Sequence, residues 1–309
     1  MATLPATAPD LRALRLLVAV ADDGGIGAAA RALGISQPSA SDGVRALERR
    51  LGLGLVRRGR TGSELTDAGR IVVELARRVL TATSDLTDAA RTLRGEAATQ
   101  LTVCASLTVA EHLVPQWLVR MSHEAPEISI AVRMANSADV AEQVRSGAVA
   151  LGFVEGASAP HGLRSTTICT DELALLVRAT HPWAGATAPL QPRDLDGVPL
   201  ALREPGSGTR DVLERWLAED GVRPTAAVEV ASTTALVAAA LSGVAPTVIS
   251  RLAVQTELAE GRLVQVPLAA AHGAHHHGGP LRRRIRAVWR GPAAPGLAAA
   301  RLLEVILER

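Results

Sequence analysis

Apolar residues near the amino terminus recur at helical spacing in two short runs. The first run places three side chains on one helix face, namely Ala29, Ala30 and Leu33. Gly34 follows where a helix commonly ends in a positive φ, and Ile35 is expected to be buried in the turn that comes next. The second run continues at spacings of three and four residues, at Val44, Leu47 and Leu51. The pattern therefore predicts two helices joined by a tight turn.

The second of these helices has a helix-start signal and one polar face. Ser36 is placed to accept a backbone N–H, and Pro38 lies in the first turn, where its missing N–H costs nothing. The face opposite the apolar run carries small or hydrogen-bonding residues: Gln37, Ser39, Ser41, Asp42 and Arg45. Such side chains fit against base edges and phosphates in the major groove of DNA. We therefore predict a DNA-reading helix with six contact residues: Ser36, Gln37, Pro38, Ser39, Ser41 and Arg45.

Basic charge is concentrated around this helix pair. Between residues 29 and 62 there are seven arginines against two acids, Asp42 and Glu48. Residues 1–95 contain 14 arginines and 10 acids, whereas the rest of the chain contains 19 arginines and 21 acids. A local basic excess suits a surface that contacts phosphates. The segment after the helix is typical of a hairpin tip, and it predicts a wing whose arginines hold the DNA backbone: Arg57, Arg58 and Arg60.

A long helix is predicted from residue 67 to about residue 94. Thr66 is a suitable N-cap for it. Small and apolar residues alternate at steps of four and three and form a heptad seam: Val72, Ala76, Val79, Thr83, Leu86, Ala90 and Leu93. We favour a homodimer through this helix, which would present two DNA-reading helices to a two-fold-related site. The alternative is a helix that packs on its own domain.

Strands and helices alternate over the rest of the chain. Strands are expected at 101–105, 128–134, 151–154, 173–177, 200–202, 227–230, 247–249 and 263–267. Helices are expected at 109–122, from about 136, and at 209–220, 232–242 and 250–259, and the segments 285–289 and 295–308 close the chain. The alternation predicts an α/β domain of two halves with mostly parallel sheets, and a ligand cleft at the carboxyl ends of the strands.

Three polar clusters lie where expected strands lead into expected helices. They contain Ser106, Leu107 and Thr108, then Ser207, Gly208 and Thr209, and then Ser232 and Thr233. Each cluster can present hydroxyls and backbone N–H groups at the positive end of a helix dipole. Each is also an ordinary N-cap when taken alone. Together they predict a binding site for a small anionic or polar effector.

Composition excludes several classes of protein. The 309 residues suffice for two or three domains, and the two cysteines are too few for a secreted disulfide scaffold. Residues 1–20 lack the features of a signal peptide, and the apolar region at 226–249 is interrupted by polar and breaking residues. We therefore expect a cytoplasmic chain that does not enter a membrane.

These motifs resemble those of the LysR-type transcriptional regulators over nearly the full length of the chain. The N-terminal resemblance is carried by AARAL at 29–33, ISQPS at 35–39, RALE at 45–48, LG at 51–52, LT at 65–66 and AG at 68–69. Weaker matches are DEL at 171–173, HP at 181–182 and REPGSGTR at 203–210.

The resemblance implies a winged helix-turn-helix domain at 8–66, a linker and dimerisation helix at 67–95, and an effector-binding domain at 96–309. That domain is expected to resemble periplasmic binding proteins, with two Rossmann-like subdomains at about 97–165 with 270–309 and at about 166–269. The partners implied are double-stranded DNA, a small-molecule effector, further copies of the chain up to a homotetramer, and RNA polymerase.

The chain departs from the family pattern within the DNA-reading helix. Asp42 and Gly43 stand where the family commonly has a basic or amide pair. An acid repels phosphate, and a glycine costs about 1 kcal/mol of helix propensity. The departure implies weaker or differently specified operator binding.

Other functions have less support in the sequence. Ser207 lacks the nucleophile elbow of a hydrolase, so no catalytic residue and no cofactor are expected. A metal-responsive regulator is an alternative, because His272, His275, His276 and His277 cluster in a glycine-rich segment, although no metal site is predicted there. A solute-binding protein without DNA would share the cleft, but it would have no use for the basic N-terminal module.

Overall fold

A computed structural model describes residues 8–59, 62–93, 99–270, 281–291 and 295–308. The chain divides near residue 96 into two compact units. None of the helices in these described ranges is long and apolar enough to cross a membrane.

The described part of the N-terminal unit contains helices and one hairpin. The elements are α1 (Leu11–Asp22), α2 (Ile26–Ala32), α3 (Gln37–Leu51), β1 (Val56–Gly59), β2 (Gly62–Leu65) and α4 (Asp67–Leu93). The predicted turn is confirmed, because Gly34 has a φ of +67° and the Ser36 hydroxyl accepts the Ser39 N–H at 3.2 Å. The predicted wing is confirmed as the antiparallel pair β1–β2.

The expected burial of Ile35 is wrong. Its side chain is 42% exposed, whereas Ala30 and Ala40 are at most 2% exposed. The turn is closed by small side chains and by the Ile35 N–H, which donates to the Ala30 carbonyl at 3.0 Å. Close packing of alanines leaves the larger isoleucine on the surface.

Two glycines let elements of this unit approach closely. A Cβ on Gly43 would lie 2.7 Å from Leu16 Cδ2, so the absence of a side chain at this position allows α1 to pack closely on α3. A Cβ on Gly69 would lie 2.1 Å from the Leu55 carbonyl oxygen, so only glycine fits in the first turn of α4. The glycine that departs from the family pattern in α3 therefore has a packing role.

The heptad seam predicted along α4 is wrong in its first turns. Ala76 is 2% exposed and Val73 is 4% exposed, because this part of α4 packs within its own unit, where α1 is its main neighbour. The N-cap prediction is confirmed, since Thr66 Oγ1 accepts the Gly69 N–H at 2.9 Å. Two residues of the predicted seam, Val79 and Leu86, are exposed, and with them the large apolar side chains exposed along α4 form one stripe: Ile71, Leu75, Val79 and Leu86.

The second unit has an α/β architecture. It begins with β3 (Thr99–Ser106), α5 (Leu107–His112), α6 (Val114–Glu124), β4 (Ile128–Ala135), α7 (Ser137–Ser146), β5 (Leu151–Gly156) and β6 (Arg164–Arg178). There follow β7 (Pro199–Leu202), α8 (Gly208–Ala218), β8 (Thr225–Glu229), α9 (Thr233–Ser242), β9 (Thr247–Ser250), α10 (Gln255–Ala259), β10 (Leu263–Val266), β11 (Arg282–Trp289) and α11 (Leu297–Leu307). The first half is built on β3–β5 together with β11 and α11, which share its core, and the second half is built on β7–β10.

Two of the expected helices are interrupted. The helix expected at 109–122 divides at Leu113, because Pro115 lies in the first turn of α6 and cannot continue a helix from before it. The helix expected at 250–259 is a 3-10 turn at Arg251–Val254 followed by α10, and Val254 leaves the helical region with a φ of −135°.

The prediction of mostly parallel sheets is also wrong. The strand order is β4-β3-β5-β11-β6-β9-β7-β8, and β10 pairs with β6. β3 and β7 each pair in parallel with two neighbours, whereas β6 and β11 pair only antiparallel. β6 joins the halves: it pairs with β11 through Glu172, and with β9 from Leu173 onward. The polar first part of β6 was not predicted as a strand, because apolar and polar residues do not alternate clearly there.

Each half of this unit has its own apolar core. In the first half Trp117 and Phe153 lie with ring centroids 4.9 Å apart among aliphatic side chains. In the second, Trp216 is 2% exposed and its indole N–H donates to the Ala269 carbonyl at 3.2 Å. Cys104 is fully buried, and burial raises the pKa of its thiol, as expected for a small core residue.

Candidate functional sites

The polar face predicted on α3 lies at the surface. Ala40, Val44 and Leu47 are at most 3% exposed and form the inner face. Five of the six predicted contact residues are exposed and Ser41 is half-buried; the exposed ones are Ser36, Gln37, Pro38, Ser39 and Arg45. The helix therefore offers a continuous polar surface of the kind that reads a major groove.

Several groups on this face also contact one another. The hydroxyls of Ser36 and Ser39 lie 2.8 Å apart, in addition to the helix cap described above. Arg45 and Asp42 form an ion pair at 3.6 Å, with both side chains more than half exposed. An exposed pair of this kind is worth little and is broken easily, so Arg45 remains available for a phosphate or a base.

Glu48 fastens the wing to α3. Its Oε1 accepts the backbone N–H groups of Leu55 at 2.8 Å and of Val56 at 3.0 Å. Thr66 Oγ1 donates to the Gly54 carbonyl at 2.7 Å and secures the other end of the hairpin. This structural role of Glu48 was not predicted from the sequence. The signal was its position beside Val44 and Leu51, on the apolar side of the helix.

The wing is described only in part. Arg57 on β1 lies opposite Glu64 on β2, and their charged groups are 3.6 Å apart with both side chains largely exposed. The backbone of Arg58 continues β1, while its side chain and the whole of Arg60 lie outside the described residues. The predicted role of these arginines in holding phosphates stays a prediction.

Two of the three polar clusters predicted in the second unit meet. Ser106, Thr108, Ser207 and Thr209 are all at most 3% exposed. The guanidinium of Arg283 on β11 joins them, donating from Nη2 to Thr108 Oγ1 at 3.0 Å and from Nη1 to Thr209 Oγ1 at 2.8 Å. Thr108 follows β3 and Thr209 follows β7, so Arg283 connects the two halves of the unit.

Two buried acids balance this arginine. Arg283 Nε and Nη2 each lie 2.7 Å from Asp171 Oδ2, and Nη1 lies 2.8 Å from Glu155 Oε1. Asp171 also accepts the Ser250 hydroxyl at 2.7 Å, and Glu155 Oε1 accepts the Thr108 hydroxyl at 3.1 Å. The side chains of Arg283, Glu155 and Asp171 are at most 2% exposed. We call these three residues with Thr108 and Thr209 the Arg283 cluster.

Backbone contacts bring the loop before α8 against the first half. The Ala138 N–H donates to the Gly206 carbonyl at 3.1 Å. A Cβ on Gly208 would lie 1.9 Å from the Glu155 carbonyl oxygen, so this position requires glycine. The role of the glycine is close approach between the two halves.

The remaining predicted effector residues lie apart from these contacts. Leu107 is half-buried between Ser106 and Thr108. Ser232 is exposed and its hydroxyl caps α9 by accepting the Ala235 N–H at 3.3 Å, while Thr233 is 6% exposed. In the described residues, no hydrogen bond links Ser232 or Thr233 to the Arg283 cluster. The third polar cluster caps α9 in this structure, and its predicted role in effector binding stays a prediction.

Sequence reasoning missed Glu155, Asp171 and Arg283. Glu155 had a signal, because it lies among apolar residues in β5, whereas Asp171 lies in the polar part of β6 and Arg283 in an arginine-rich segment. Buried charges are rare unless paired, and their partners are distant in sequence. Arg286, on the same strand as Arg283, is also buried; burial, and to a lesser extent Arg284, lowers its pKa, and it donates to the carbonyls of Gly156 and Ser158 at 3.0 and 3.2 Å.

The four histidines of the glycine-rich segment, His272, His275, His276 and His277, lie outside the described residues. Across the residues that are described, no group of three or more histidine, cysteine, aspartate or glutamate side chains is arranged to hold a metal ion.

Comparison with known families assigns both units. A model of the LysR-family bacterial regulatory helix-turn-helix protein matches residues 11–70, and a model of the LysR substrate binding domain matches residues 94–309. The chain belongs to the LysR family of transcriptional regulators. The predicted resemblance and fold class are thereby confirmed. Regulators of this family are generally not enzymes.

Relatives extend over almost the whole of this LysR-type regulator. An uncharacterized HTH-type transcriptional regulator of Mycobacterium tuberculosis, Rv2282c, is 36% identical over 97% of both chains. The HTH-type transcriptional regulator CysL of Bacillus subtilis is 28% identical over 79% of this chain and 82% of its own length. These matches do not support the alternative of a solute-binding protein without DNA, nor that of a metal-responsive regulator.

Solved structures show the same fold. Full-length OxyR from Pseudomonas aeruginosa is 23% identical with a TM-score of 0.68, covering 97% of this chain and 94% of its own. CbnR in complex with its target DNA is 23% identical with a TM-score of 0.62, covering 96% of this chain and 99% of its own. At this level of identity the likeness concerns the fold alone.

Proposed function

We propose that this LysR-type regulator binds operator DNA as a homodimer or tetramer, and that a small polar effector bound between the two halves of its second unit changes that binding. α3 would lie in the major groove, and the wing would hold the adjacent backbone. Action on the chromosome implies a cytoplasmic location, and RNA polymerase is the expected partner at the promoter.

The exposed polar face of α3 carries the DNA-binding proposal. Gln37, Ser39 and Arg45 project from a helix whose opposite face is buried in a compact core. Glu48 holds the start of the wing against the same helix through two backbone N–H groups. A buried face and a fixed wing hold α3 in one position, which keeps its exposed side chains aligned with base edges.

The exposed stripe on α4 supports self-association. Ile71 is 64% exposed, Leu75 49%, Val79 45% and Leu86 71%. The four positions follow one another at four, four and seven residues and therefore share one side of the helix. Large apolar side chains are seldom left in such a row unless another surface covers them. A second α4 is the occupant that we propose.

The Arg283 cluster supports an effector site between the halves. Thr108 and Thr209, predicted as effector residues, are already held together by one guanidinium. A ligand that competes for either hydroxyl would change how the halves are joined, and a difference in affinity between two arrangements is what an effector needs. Of the anionic and polar classes that the sequence allowed, the buried acids favour a polar one.

The DNA-reading proposal is tested by selecting binding sites from random duplexes with the full-length protein. Gln37→Ala should reduce the preference for one base in the selected sites and weaken binding of the protein to the preferred site about 5- to 150-fold, as expected when a side chain that contacts a base is removed. Gln255→Ala, an exposed glutamine in the second unit, is the matched control. An unchanged selected sequence and affinity in Gln37→Ala would remove this residue from the interface.

Self-association is tested by sedimentation velocity. Leu86→Glu introduces a charge into the α4 stripe and should dissociate the oligomer at micromolar concentration, whereas Thr87→Glu on the neighbouring exposed position should not.

The effector site is tested by reporter induction in Thr209→Ala, which should lose the response while retaining operator binding. Normal induction would place the effector elsewhere.

A further inference from the structure

Two buried polar atoms lack a hydrogen-bond partner, one on a member of the Arg283 cluster and the other on Ser106, two residues before Thr108. Glu155 Oε2 and Ser106 Oγ are buried, and the structure gives neither a partner among the residues that it describes. The Glu155 side chain is 1% exposed and Ser106 is 1% exposed. Almost all buried polar groups in folded proteins are paired, and an unpaired buried carboxylate oxygen is especially costly. These two atoms therefore point to a ligand that supplies what they lack.

Arg283 contacts Oε1 of Glu155, and Oε2 has no hydrogen-bond partner in the described ranges. Three N–H groups of Arg283 donate hydrogen bonds, to Asp171, Thr108 and Thr209, and its other two charged contacts are ion pairs with Asp171 and with Glu155 Oε1. A carboxylate or phosphate ligand would have to compete with Asp171 and Glu155, which already lie 2.7 and 2.8 Å from this guanidinium.

The charge inventory favours a positively charged ligand. The Arg283 cluster contains two carboxylates and one guanidinium, which leaves a net charge of −1 when the acids are ionised. The positive end of α8 eases the burial of negative charge, but its Thr209 N–H already bonds to Ser207 Oγ at 3.3 Å. The helix thus offers electrostatic support without offering a donor to Glu155 Oε2.

We propose that the effector carries a protonated amine, which donates hydrogen bonds to Glu155 Oε2 and to Ser106 Oγ. This inference rests on the proposed effector site. An ammonium group has three N–H donors and one positive charge, so it satisfies both unpaired oxygens and neutralises the excess acid. Glu155 then sets ligand specificity by charge, while Arg283 holds the two threonine loops in place.

The test uses four-carbon compounds that differ only in their end groups. The melting temperature of the full-length protein is measured with putrescine, 4-aminobutyrate, 1,4-butanediol and succinate, each over the same concentration series. The two amines should raise the melting temperature by about 3 °C or more, and the diol and the dicarboxylate should not. Titration calorimetry then gives the affinity of the better amine.

Variants assign the binding to Glu155. Glu155→Gln keeps the size of the side chain and should weaken amine binding at least about tenfold. The exposed Glu127→Gln, in the same unit, should leave it unchanged. Ser106→Ala is the second variant, because it removes one oxygen without exposing a charge. Circular dichroism and operator binding confirm that each variant is folded.

The outcomes separate this inference from the proposed function. A shift by succinate that Ser106→Ala abolishes would overturn the amine assignment and leave the effector site standing. An amine shift that persists in both Glu155→Gln and Ser106→Ala would overturn the assignment of the amine to these atoms. A panel without any shift would also overturn the amine assignment, while reporter induction in Thr209→Ala tests the effector site independently.

Discussion

Arg283 donates from Nε to Asp171 Oδ2 at 2.7 Å, a hydrogen bond between residues 112 positions apart. Asp171 lies on β6 two residues before Leu173, where the pairing of β6 passes from β11 to β9, and Arg283 on β11 is its partner in the register. β6, the strand that crosses between the halves, is therefore tied to β11 close to the point where its pairing changes. Whatever changes this pair changes the relation of Thr108 to Thr209.

Removing Arg283 should destabilise the protein strongly. Arg283→Met leaves Glu155 and Asp171 buried without their partner, and loss of one member of a buried ion pair costs about 3–5 kcal/mol. Unfolding in urea, followed by tryptophan fluorescence, measures the loss. Adding Asp171→Asn to Arg283→Met should recover part of it, because the unpaired charge is removed.

The matched control for the Arg283 variants is the ion pair of Arg251 Nη1 with Glu172 Oε1, which lie 3.3 Å apart with both side chains partly exposed. Arg251→Met should cost less than about 1 kcal/mol. Equal costs at Arg283 and Arg251 would contradict the role assigned to the buried cluster.

The wing arginines should contribute affinity without sequence preference. Arg57→Ala with Arg58→Ala should weaken binding to all duplexes and reduce the slope of log K against log salt by up to about 2, since each phosphate contact contributes about 0.9. Fluorescence anisotropy at several salt concentrations measures this slope. Arg193→Ala, an exposed arginine of the second unit, should leave the slope unchanged. If the double variant kept the original slope, the wing would not contact phosphates.

Glu48 should be required to order the start of the wing. Glu48→Ala removes the acceptor of the Leu55 and Val56 N–H groups, at a cost of about 1–3 kcal/mol for unpaired backbone donors. Hydrogen exchange at these two amides should accelerate, and operator binding should weaken. Glu74→Ala, on an exposed position of α4, should do neither. Unaltered exchange at Leu55 and Val56 would show that the wing is held by other contacts.

Gly69 should not tolerate a methyl group. Gly69→Ala places a Cβ against the Leu55 carbonyl, and overpacking of this kind costs about 1–3 kcal/mol or more. Gly54→Ala is the matched control, because nothing lies within 4 Å of its Cβ position. Thermal unfolding should distinguish the two, and an equally small effect of both would refute the close approach.

His181 should make stability depend on pH. Burial, and after it the charge of Arg178, lowers its pKa from 6.5, and its Nδ1 accepts the Trp183 N–H at 3.1 Å. A group with a lowered pKa stabilises the fold above pH 6.5 and loses that contribution as pH falls through the folded value. His181→Asn, which can still accept the N–H, should flatten the fall in melting temperature below pH 6.5. The exposed His123→Asn should not, and an identical pH profile in His181→Asn would contradict this account.

Local patterns predicted the elements near the amino terminus well, because the interactions that form these elements are short-range. The turn at Gly34, the cap at Ser36 and the cap at Thr66 each depend on residues within a few positions. Ile35 was misjudged because its exposure depends on the closeness of the two helices, which Ala30 and Ala40 determine. Ala76 was misjudged for a similar reason, since heptad spacing cannot reveal that α1 covers that turn of α4.

In the second unit, hydroxyl clusters after strands pointed correctly to Thr108 and Thr209 as neighbours, because such loops meet at one edge of an α/β fold. They did not reveal Arg283, since an arginine in an arginine-rich segment looks like surface charge. The same pattern also indicated Ser232 and Thr233, whose local sequence is similar to that of the other two clusters but which lie at the start of a separate helix, α9.

By itself the sequence determined the family, the order of the two units, the polar face of α3 and the caps that begin its helices, because these follow from composition and short-range spacing. Only the tertiary structure decided which charges are buried, which side of α4 is exposed, and that β6 crosses between the halves. Each of these outcomes depends on contacts between residues distant in sequence, 112 positions apart for Arg283 and Asp171, and burial then makes the pairing of Arg283 with Asp171 and Glu155 obligatory.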